Sequence, residues 1–313
     1  MSFVFLLASF FSFSQEKAKI DSLNNILKKK IHDTVRIKTL LDLAIRLQDT
    51  DINLSSNTAN TAYKLIKKNN NMALEWVEGV ITKIIDETPN TKRFYFEISS
   101  LEKFDFIPGQ FVTLDLPIHE QKNKRWRSYS IASEPNGTNT FELVIVHLEG
   151  GLGTTFLFNE GKLGTKVTLR GPQGVFTLPK NFENDVYFIC TGTGIAPFRS
   201  MIRYIHEHKI PHNNIHLIFG CRKFEDGLYI DELKELESKE PGFHFHPCYS
   251  RETEVPVGSH KGYVHPVYQE LLKENKETAH VWLCGWKAMI DDARKNLTEL
   301  GLDKKQVHFE SFG

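Results

Sequence analysis

The sequence predicts two different sheets in tandem. An antiparallel six-stranded β-barrel is followed by a doubly wound parallel α/β sheet, and a short helical appendage precedes both. Three observations predict this. Residues 76–170 hold six short stretches that alternate apolar and polar positions and are rich in β-branched and aromatic residues, the period-two signature of half-buried strands. After Pro179, compact apolar strands alternate with amphipathic helices, the pattern of a parallel sheet covered on both faces. Before Asn69-Asn70-Asn71 the apolar residues recur at helical spacing instead.

The elements follow in order. Residues 3–13, FVFLLASFFSF, resemble the apolar region of a signal peptide ending near Ser14-Gln15, without the usual basic flank. The stretch is too short for a helix to cross a bilayer, so no stable membrane span is expected. Ile20, Leu23 and Leu27 predict a first helix closing near Lys28-Lys29-Lys30. Asp33-Thr34 would cap a second helix carrying Leu40, Leu41, Ala44 and Leu47, and a third is expected from Ala59 to Lys68. These helices resemble one and a fraction tetratricopeptide-type repeats. A solenoid needs roughly three repeats to bury its stacking faces, so no array is expected.

Barrel strands are predicted at 76–84, 92–99, 110–116, 126–132, 140–147 and 166–170, with Pro108-Gly109 and Asn136-Gly137 as turn punctuation. In the second sheet, strands are predicted at Val186–Cys190, Ile215–Phe219, 243–249, Val281–Cys284 and 307–311. The intervening helices would present Phe198, Met201, Ile202 and Ile205 on one face, then run near 231–239 and 266–273, and carry Ile290, Ala293, Leu297 and Leu300 last. The domain organisation expected is 1–71, 72–178 and 179–313.

Composition limits the function. Lys+Arg and Asp+Glu both total 39, so there is no global field to draw in nucleic acid. The four cysteines, Cys190, Cys221, Cys248 and Cys284, stand 27 or more residues apart. That spacing excludes C-x-x-C zinc and dithiol motifs and the close-spaced run of an iron–sulfur site. No metal site is expected, and the cysteines read as free thiols.

Two motifs carry chemistry. Thr191-Gly192-Thr193-Gly194-Ile195-Ala196-Pro197 follows a predicted strand and opens a helix. Glycine lets the backbone approach a ligand closely, the free N–H groups of the helix start face an anion, and Pro197 suits the first turn. Arg127-Ser128-Tyr129-Ser130 lies on a predicted strand. Alternation puts Arg127 and Tyr129 on one face, with Ser128 and Ser130 on the other.

With these motifs in order, the chain resembles the ferredoxin–NADP⁺ reductase superfamily over residues 74–313. The resemblance runs through PGQF (108–111), RSYSIAS (127–133), EGGLGTT (149–155), GPQGVF (171–176), TGTGIAP (191–197), LCGWKAM (283–289) and FESFG (309–313). It implies a flavoprotein oxidoreductase that moves hydride between NADPH and FAD and passes electrons to ferredoxin, flavodoxin or another separate carrier. Arg127 is implied to bind a flavin phosphate, Tyr129 to lie against the isoalloxazine ring, and Ser130 to hydrogen-bond near N5. Gly151, Leu152, Gly153 and Thr154 would cradle the diphosphate. Thr191, Gly192 and Gly194 would meet the nicotinamide cofactor. Cys284 and Glu310 would flank the nicotinamide ring, and Phe312 would cover the flavin. In plant-type members that aromatic is the last residue, whereas here Gly313 follows it.

Ser250-Arg251-Glu252 and Lys261-Gly262-Tyr263 resemble segments of NADP-using members, so Ser250, Arg251, Lys261 and Tyr263 are implied contacts of the 2′-phosphate nucleotide. Gly-Tyr-Val also occurs in NADH-using relatives. An NADH-dependent reductase component of an oxygenase system is therefore the alternative, and a non-catalytic flavin- or nucleotide-sensing module is a further one. Lys122, Lys124 and Arg125 stand just before the flavin strand, where they would steer an acidic carrier. The reductase part is expected in the cytoplasm, which the signal-like segment contradicts. Met72 begins the reductase-like texture, so residues 1–71 read as a fusion, or as a separate reading frame joined to a cytoplasmic enzyme.

Overall fold

A computed structural model describes residues 19–27, 33–47, 54, 57–61, 75–179 and 182–312. The chain forms two compact units, Met1–Glu75 and Trp76–Gly313.

In the first unit, residues 19–27 and Asp33–Leu47 are helical. The second of these helices buries Leu40, Leu43, Ala44 and Leu47, which are the i, i+3, i+4 and i+7 positions of one face. Leu41, expected on that face, is 41% exposed and points away from it. Residues 57–61 are helical. The rest of the third expected helix, the side chains of Asp33 and Thr34, the lysine run at 28–30 and the apolar segment 3–13 all lie outside the described residues. Among the described residues, no helix is long and apolar enough to cross a membrane.

The second unit begins with strands β1 (Val77–Thr88), β2 (Thr91–Glu97), β3 (Phe111–Asp115), β4 (Trp126–Ser130), β5 (Thr140–Val146) and β6 (Lys166–Gln173). They form one sheet in the order β4-β3-β6-β1-β2-β5, antiparallel throughout. An isolated bridge, Ile131 to Leu143, joins the β4 side to β5 and closes the barrel. Alternation explains the core: Phe94 and Phe96 point inward from β2 and are fully buried, with Leu114, Leu143 and Leu169 from the neighbouring strands. Helix α1 (Leu152–Asn159) plugs this core with Leu157, flanked by Phe156 and Phe158. No helix is predicted there from the sequence.

Strands β7 (Val186–Thr191), β8 (Ile215–Cys221), β9 (Phe243–Tyr249), β10 (His260–Lys261), β11 (His280–Trp286) and β12 (Val307–Phe312) build the second sheet. Its order is β10-β9-β8-β7-β11-β12, with every pair parallel. Helices α2 (Ile195–His208), α3 (Ile230–Lys239), α4 (Val264–Leu271) and α5 (Lys287–Glu299) cover its faces. The predicted apolar face of α2 is the buried one: Phe198, Met201, Ile202 and Ile205 are all at most 2% exposed. Strand order reverses between β7 and β11, and ligands of doubly wound sheets bind at such a reversal, outside the carboxyl ends of the strands.

Phe96 stacks on Phe141 with ring centroids 5.5 Å apart at the centre of the barrel. Phe96→Ala is expected to cost about 3–5 kcal/mol, measured as a loss of unfolding free energy in denaturant titration.

Candidate active site

The barrel's contribution starts at β4. Register pairs Thr113 with Ser128 and Phe111 with Ser130, so Ser128 and Ser130 share a face as the alternation predicts. The Ser128 and Thr113 hydroxyls lie 3.0 Å apart. Tyr129 packs against the barrel core on the other face, and burial pushes its phenol up to about 12, so it stays neutral. Ser130 is 5% exposed, and its Oγ has no hydrogen-bond partner among the described residues. An orphaned buried hydroxyl costs roughly 1–3 kcal/mol unless a ligand satisfies it.

Arg127 stands over the start of α1. A Cβ on Gly153 would come within 2.8 Å of Arg127 Cγ, so only glycine lets the guanidinium stem lie this close to the helix. Arg127 Nη1 donates to the Lys124 and Trp126 carbonyls, at 3.0 and 2.8 Å. The helix is entered through Gly151 without a side-chain cap. Thr154 Oγ1 turns back to the Gly151 and Leu148 carbonyls, which leaves the first-turn N–H groups of α1 free to face an anion. An arginine fork, an uncapped helix start and an orphaned hydroxyl fit a flavin dinucleotide, with diphosphate at the first two and ring edge at the third.

The second sheet contributes the ends of β7 and β11. Thr191 ends β7, and Gly192 (φ +54°) begins the turn into α2. A Cβ on Gly194 would meet the Cys284 carbonyl oxygen at 2.4 Å, and one on Gly285 (φ +138°) would meet Thr191 Oγ1 at 2.6 Å. The two strand ends therefore touch backbone to backbone, as a nucleotide-binding turn requires. Trp286, 51% exposed, stands at the mouth of this turn.

Cys284 pairs in register with Cys190 on β7 and Glu310 on β12. It is fully buried. Burial, then the neighbouring Glu310 and Cys190, push its thiol well above the usual range, so it is a neutral, polarisable group and not a thiolate. Burial also raises the Glu310 carboxyl to about 7, and its Oε2 has no partner among the described residues. Phe312 pairs with Trp286 and packs, partly buried, on the core cluster that contains Cys284 and Ala132. Gly313 lies outside the described residues.

The remaining predicted residues gather at the far ends of β8 to β10. Lys261 pairs with Tyr249, and Ser250 and Arg251 follow directly. Ser250 N donates to the Cys221 carbonyl and Arg251 N to the Arg222 carbonyl, at 3.0 and 2.8 Å. Arg222, which sequence reasoning did not single out, is thus brought beside Arg251. Arg222, Arg251 and Lys261 make no ion pair among the described residues. Tyr263 is 71% exposed next to them. This cluster spans the ends of β8, β9 and β10, one to three strands from β7, and Cys284 and Glu310 lie on the other side of β7, on β11 and β12. Trp286 was also missed, although it sits inside the quoted LCGWKAM segment. All four cysteines are free.

A dense ionic junction joins the barrel to α2 and α3. Glu142 on β5 accepts from Arg93 Nε and Nη2 at 2.7 and 3.0 Å and from the Tyr229 hydroxyl at 2.6 Å. Arg199 on α2 reaches Glu142 at 3.3 Å and forks onto Glu232 at 2.8 and 2.9 Å. Burial alone would raise the Glu142 carboxyl, but the Arg93 hydrogen bonds and the Arg199 and Arg93 charges hold it below its usual value.

Gly153→Ala is expected to displace Arg127 and weaken FAD binding about tenfold, roughly 1.4 kcal/mol, with little change in melting temperature. Gly194→Ala, which drives a methyl into backbone, should instead lower the melting temperature. Fluorimetric FAD titration and thermal melts of both variants separate the two effects.

The oxidoreductase FAD-binding domain family matches residues 78–178, and the oxidoreductase NAD-binding domain family matches residues 188–295. The chain is 34% identical over 234 residues to ferredoxin–NADP reductase B of Sorangium cellulosum, covering 72% of this chain and 93% of that protein. It is 30% identical over 237 residues to the toluate 1,2-dioxygenase electron transfer component of Pseudomonas putida, covering 75% of this chain and 67% of that protein. Among solved structures, an Amycolatopsis cytochrome P450 reductase superposes with a TM-score of 0.67 at 25% identity, over 76% of this chain and 70% of that one. A ferredoxin NADP⁺ reductase from Neisseria gonorrhoeae with bound FAD and NADP superposes with a TM-score of 0.64 at 24% identity, over 75% of this chain and 98% of that one.

Proposed function

The chain belongs to the ferredoxin–NADP⁺ reductase family, as a FAD-dependent NAD(P)H oxidoreductase, and we propose that it draws hydride from NADPH and delivers electrons to a separate ferredoxin or flavodoxin. The observation that carries this reading is the pair of buried, unpartnered side-chain atoms, Ser130 Oγ and Glu310 Oε2, one from each sheet. Most buried polar side-chain atoms find a partner, and two bare ones within the two motif-bearing strands support a ligand at each.

When bound, FAD supplies the two-electron acceptor that the protein itself lacks. The protein's part is position and electrostatics. Arg127 and the N–H groups of Leu152, Gly153 and Thr154 would hold the diphosphate, whereas the Gly151 N–H is already used, donating to the Leu148 carbonyl at 2.9 Å. Ser130 would offer a hydrogen bond at the N5 edge, and the neutral Tyr129 ring would lie against the isoalloxazine. Thr191, Gly192 and Gly194 admit the nicotinamide nucleotide. Cys284 packs at the nicotinamide as a neutral thiol, and Phe312 shields the flavin face. Glu310 would stand near the nicotinamide ring, and its ionised form would favour the positive charge that ring takes on. The flavin part is assigned to residues 72–178 and the nicotinamide part to 179–313, working in the cytoplasm where NADPH is made.

The preference for NADPH is supported by Arg222, Arg251 and Lys261, unpaired cations beside Ser250 and suited to a 2′-phosphate. The similarity to the toluate dioxygenase component supports the oxygenase-system part of the second reading, in which the reductase would use NADH. Lys122 and Lys124 are exposed just before β4 and are free to meet an acidic carrier. Arg125 is less free, because it pairs with Asp115 at 2.7 Å.

FAD-loaded protein should oxidise NADPH when ferricyanide or a ferredoxin is supplied. Its kcat/KM should favour NADPH over NADH, and Arg251→Gln should lower that preference by about tenfold or more, from the loss of a charged hydrogen bond. An NADH preference selects the oxygenase-type reading. Flavin binding without turnover on either nucleotide selects a sensing module.

The rate of flavin reduction by NADPH should rise with pH through about 7, as Glu310 ionises. Glu310→Gln should remove that limb. Because the folded-state pKa is raised, Glu310's contribution to stability is greatest below the ordinary value of 4.5 and declines as pH climbs to about 7. Melts of the variant should therefore show a gain over the parent that grows across that window.

A further inference from the structure

Arg199 differs from an ordinary interfacial cation in what it binds. Besides its two carboxylates, its Nη1 donates to the Ala132 carbonyl at 2.8 Å. The next residue, Ser200, donates from Oγ to the Ser133 carbonyl at 2.6 Å. Both carbonyls belong to the RSYSIAS segment, just past Ser130. Both donors lie in the first turns of α2, which opens directly from the Gly192–Gly194 turn. One side chain thus connects the end of the flavin strand to the start of the nicotinamide helix.

The connection is stiff. Arg199 is 4% exposed and Glu142 2%, and the guanidinium lies 4.3 Å over the Tyr229 ring. Ser133 Oγ accepts from Glu142 N at 3.0 Å, and Ala132 N donates to the Glu142 carbonyl at 2.8 Å. The segment after Ser130 is therefore held from both sides, by β5 and by α2. An ion pair that served only cohesion would need no backbone carbonyl. Arg199 makes two hydrogen bonds to Glu232 and one each to Glu142 and the Ala132 carbonyl, four in all, and an ammonium has only three donors.

We propose that Arg199 is a positioning residue for hydride transfer, fixing through the Ala132 carbonyl the separation between Ser130 and the Gly192–Gly194 turn, with Ser200 as a second tether. This rests on the flavin and nicotinamide roles given to those two elements. Hydride transfer is steeply sensitive to donor–acceptor distance, and a misplacement of about 1 Å can cost on the order of a hundredfold in rate.

The test is stopped-flow reduction of the FAD-loaded protein by NADPH without oxygen. Arg199→Lys should slow flavin reduction by about tenfold to a hundredfold while FAD stays bound and KM for NADPH is little changed. The deuterium isotope effect from NADPH labelled at C4 should rise, and the long-wavelength absorbance of the stacked nicotinamide–flavin pair should fall. In the FAD-free protein, amide exchange at 131–133 should quicken. A parental reduction rate in Arg199→Lys overturns the proposal. So does a slower rate with an unchanged isotope effect and an equal loss of FAD affinity, which marks simple destabilisation. If Arg199→Lys does not fold, Ser200→Ala decides: slower reduction at unchanged FAD affinity supports the role, and an unchanged rate overturns it. A parent protein that binds FAD but is reduced by neither nucleotide overturns the functional reading, and the role of Arg199 with it. A parent that is reduced normally, with both variants indifferent, overturns the role alone.

Discussion

The contact between the carboxylate of Glu142 and the guanidinium of Arg199 governs how the two sheets meet. Both groups are almost completely buried, and a buried charge without a partner costs several kcal/mol. Neither sheet can slide without stripping a charge bare. Tyr229 shows how firmly the junction is held. It keeps a left-handed backbone at φ +55° without being glycine, a conformation that costs of order 1–3 kcal/mol. Its amide donates to Glu87 at 2.8 Å and its hydroxyl to Glu142 at 2.6 Å. Arg203 adds a second link to Glu134, at 2.7 and 3.0 Å. The junction is thus a charged lattice, whereas the two cores it separates are apolar.

The site inherits its geometry from this junction and from the reversal of strand order between β7 and β11. The site draws side chains from two different sheets. The barrel presents Ser130 at the end of a strand whose next residue closes the barrel. The parallel sheet presents Cys284 and Glu310 as register neighbours, and Gly194 and Gly285 bring the adjoining turns into backbone contact. Small residues here mark close approach, and the acidic and thiol groups beside them are kept neutral or near neutrality by burial.

Much of this was legible in the sequence because burial leaves a periodic trace. Phe94 and Phe96 alternate with Arg93 and Tyr95, and the barrel follows. Phe198, Met201, Ile202 and Ile205 recur at helical spacing, and α2 follows. Where the trace was weak, the reading erred. Leu41 reads together with Leu40, Ala44 and Leu47, but helical phase turns Leu41 outward and Leu43 inward. Helix α1 hid behind its glycines, and β10, two residues long, has too few positions to show a period. The ionic junction left no trace, because Glu142 and Arg199 stand 57 residues apart in the chain and each reads alone as a solvated charge. Arg222 was missed for the same reason, since only the pairing of β8 with β9 brings it to Arg251.

The bare start of α1 and the orphaned Ser130 hydroxyl have a consequence for the life of the protein in the cell. A fold that leaves such groups unsatisfied is less stable until its dinucleotide arrives. A ligand present at about a hundred times its dissociation constant adds roughly 2.7 kcal/mol to the folded state. In a cell short of flavin, a larger fraction of chains is open to proteases at any moment, and differences of that size alter abundance several-fold. By the same linkage, flavin supply would bear on how many copies of this reductase persist as well as on how many carry a working cofactor.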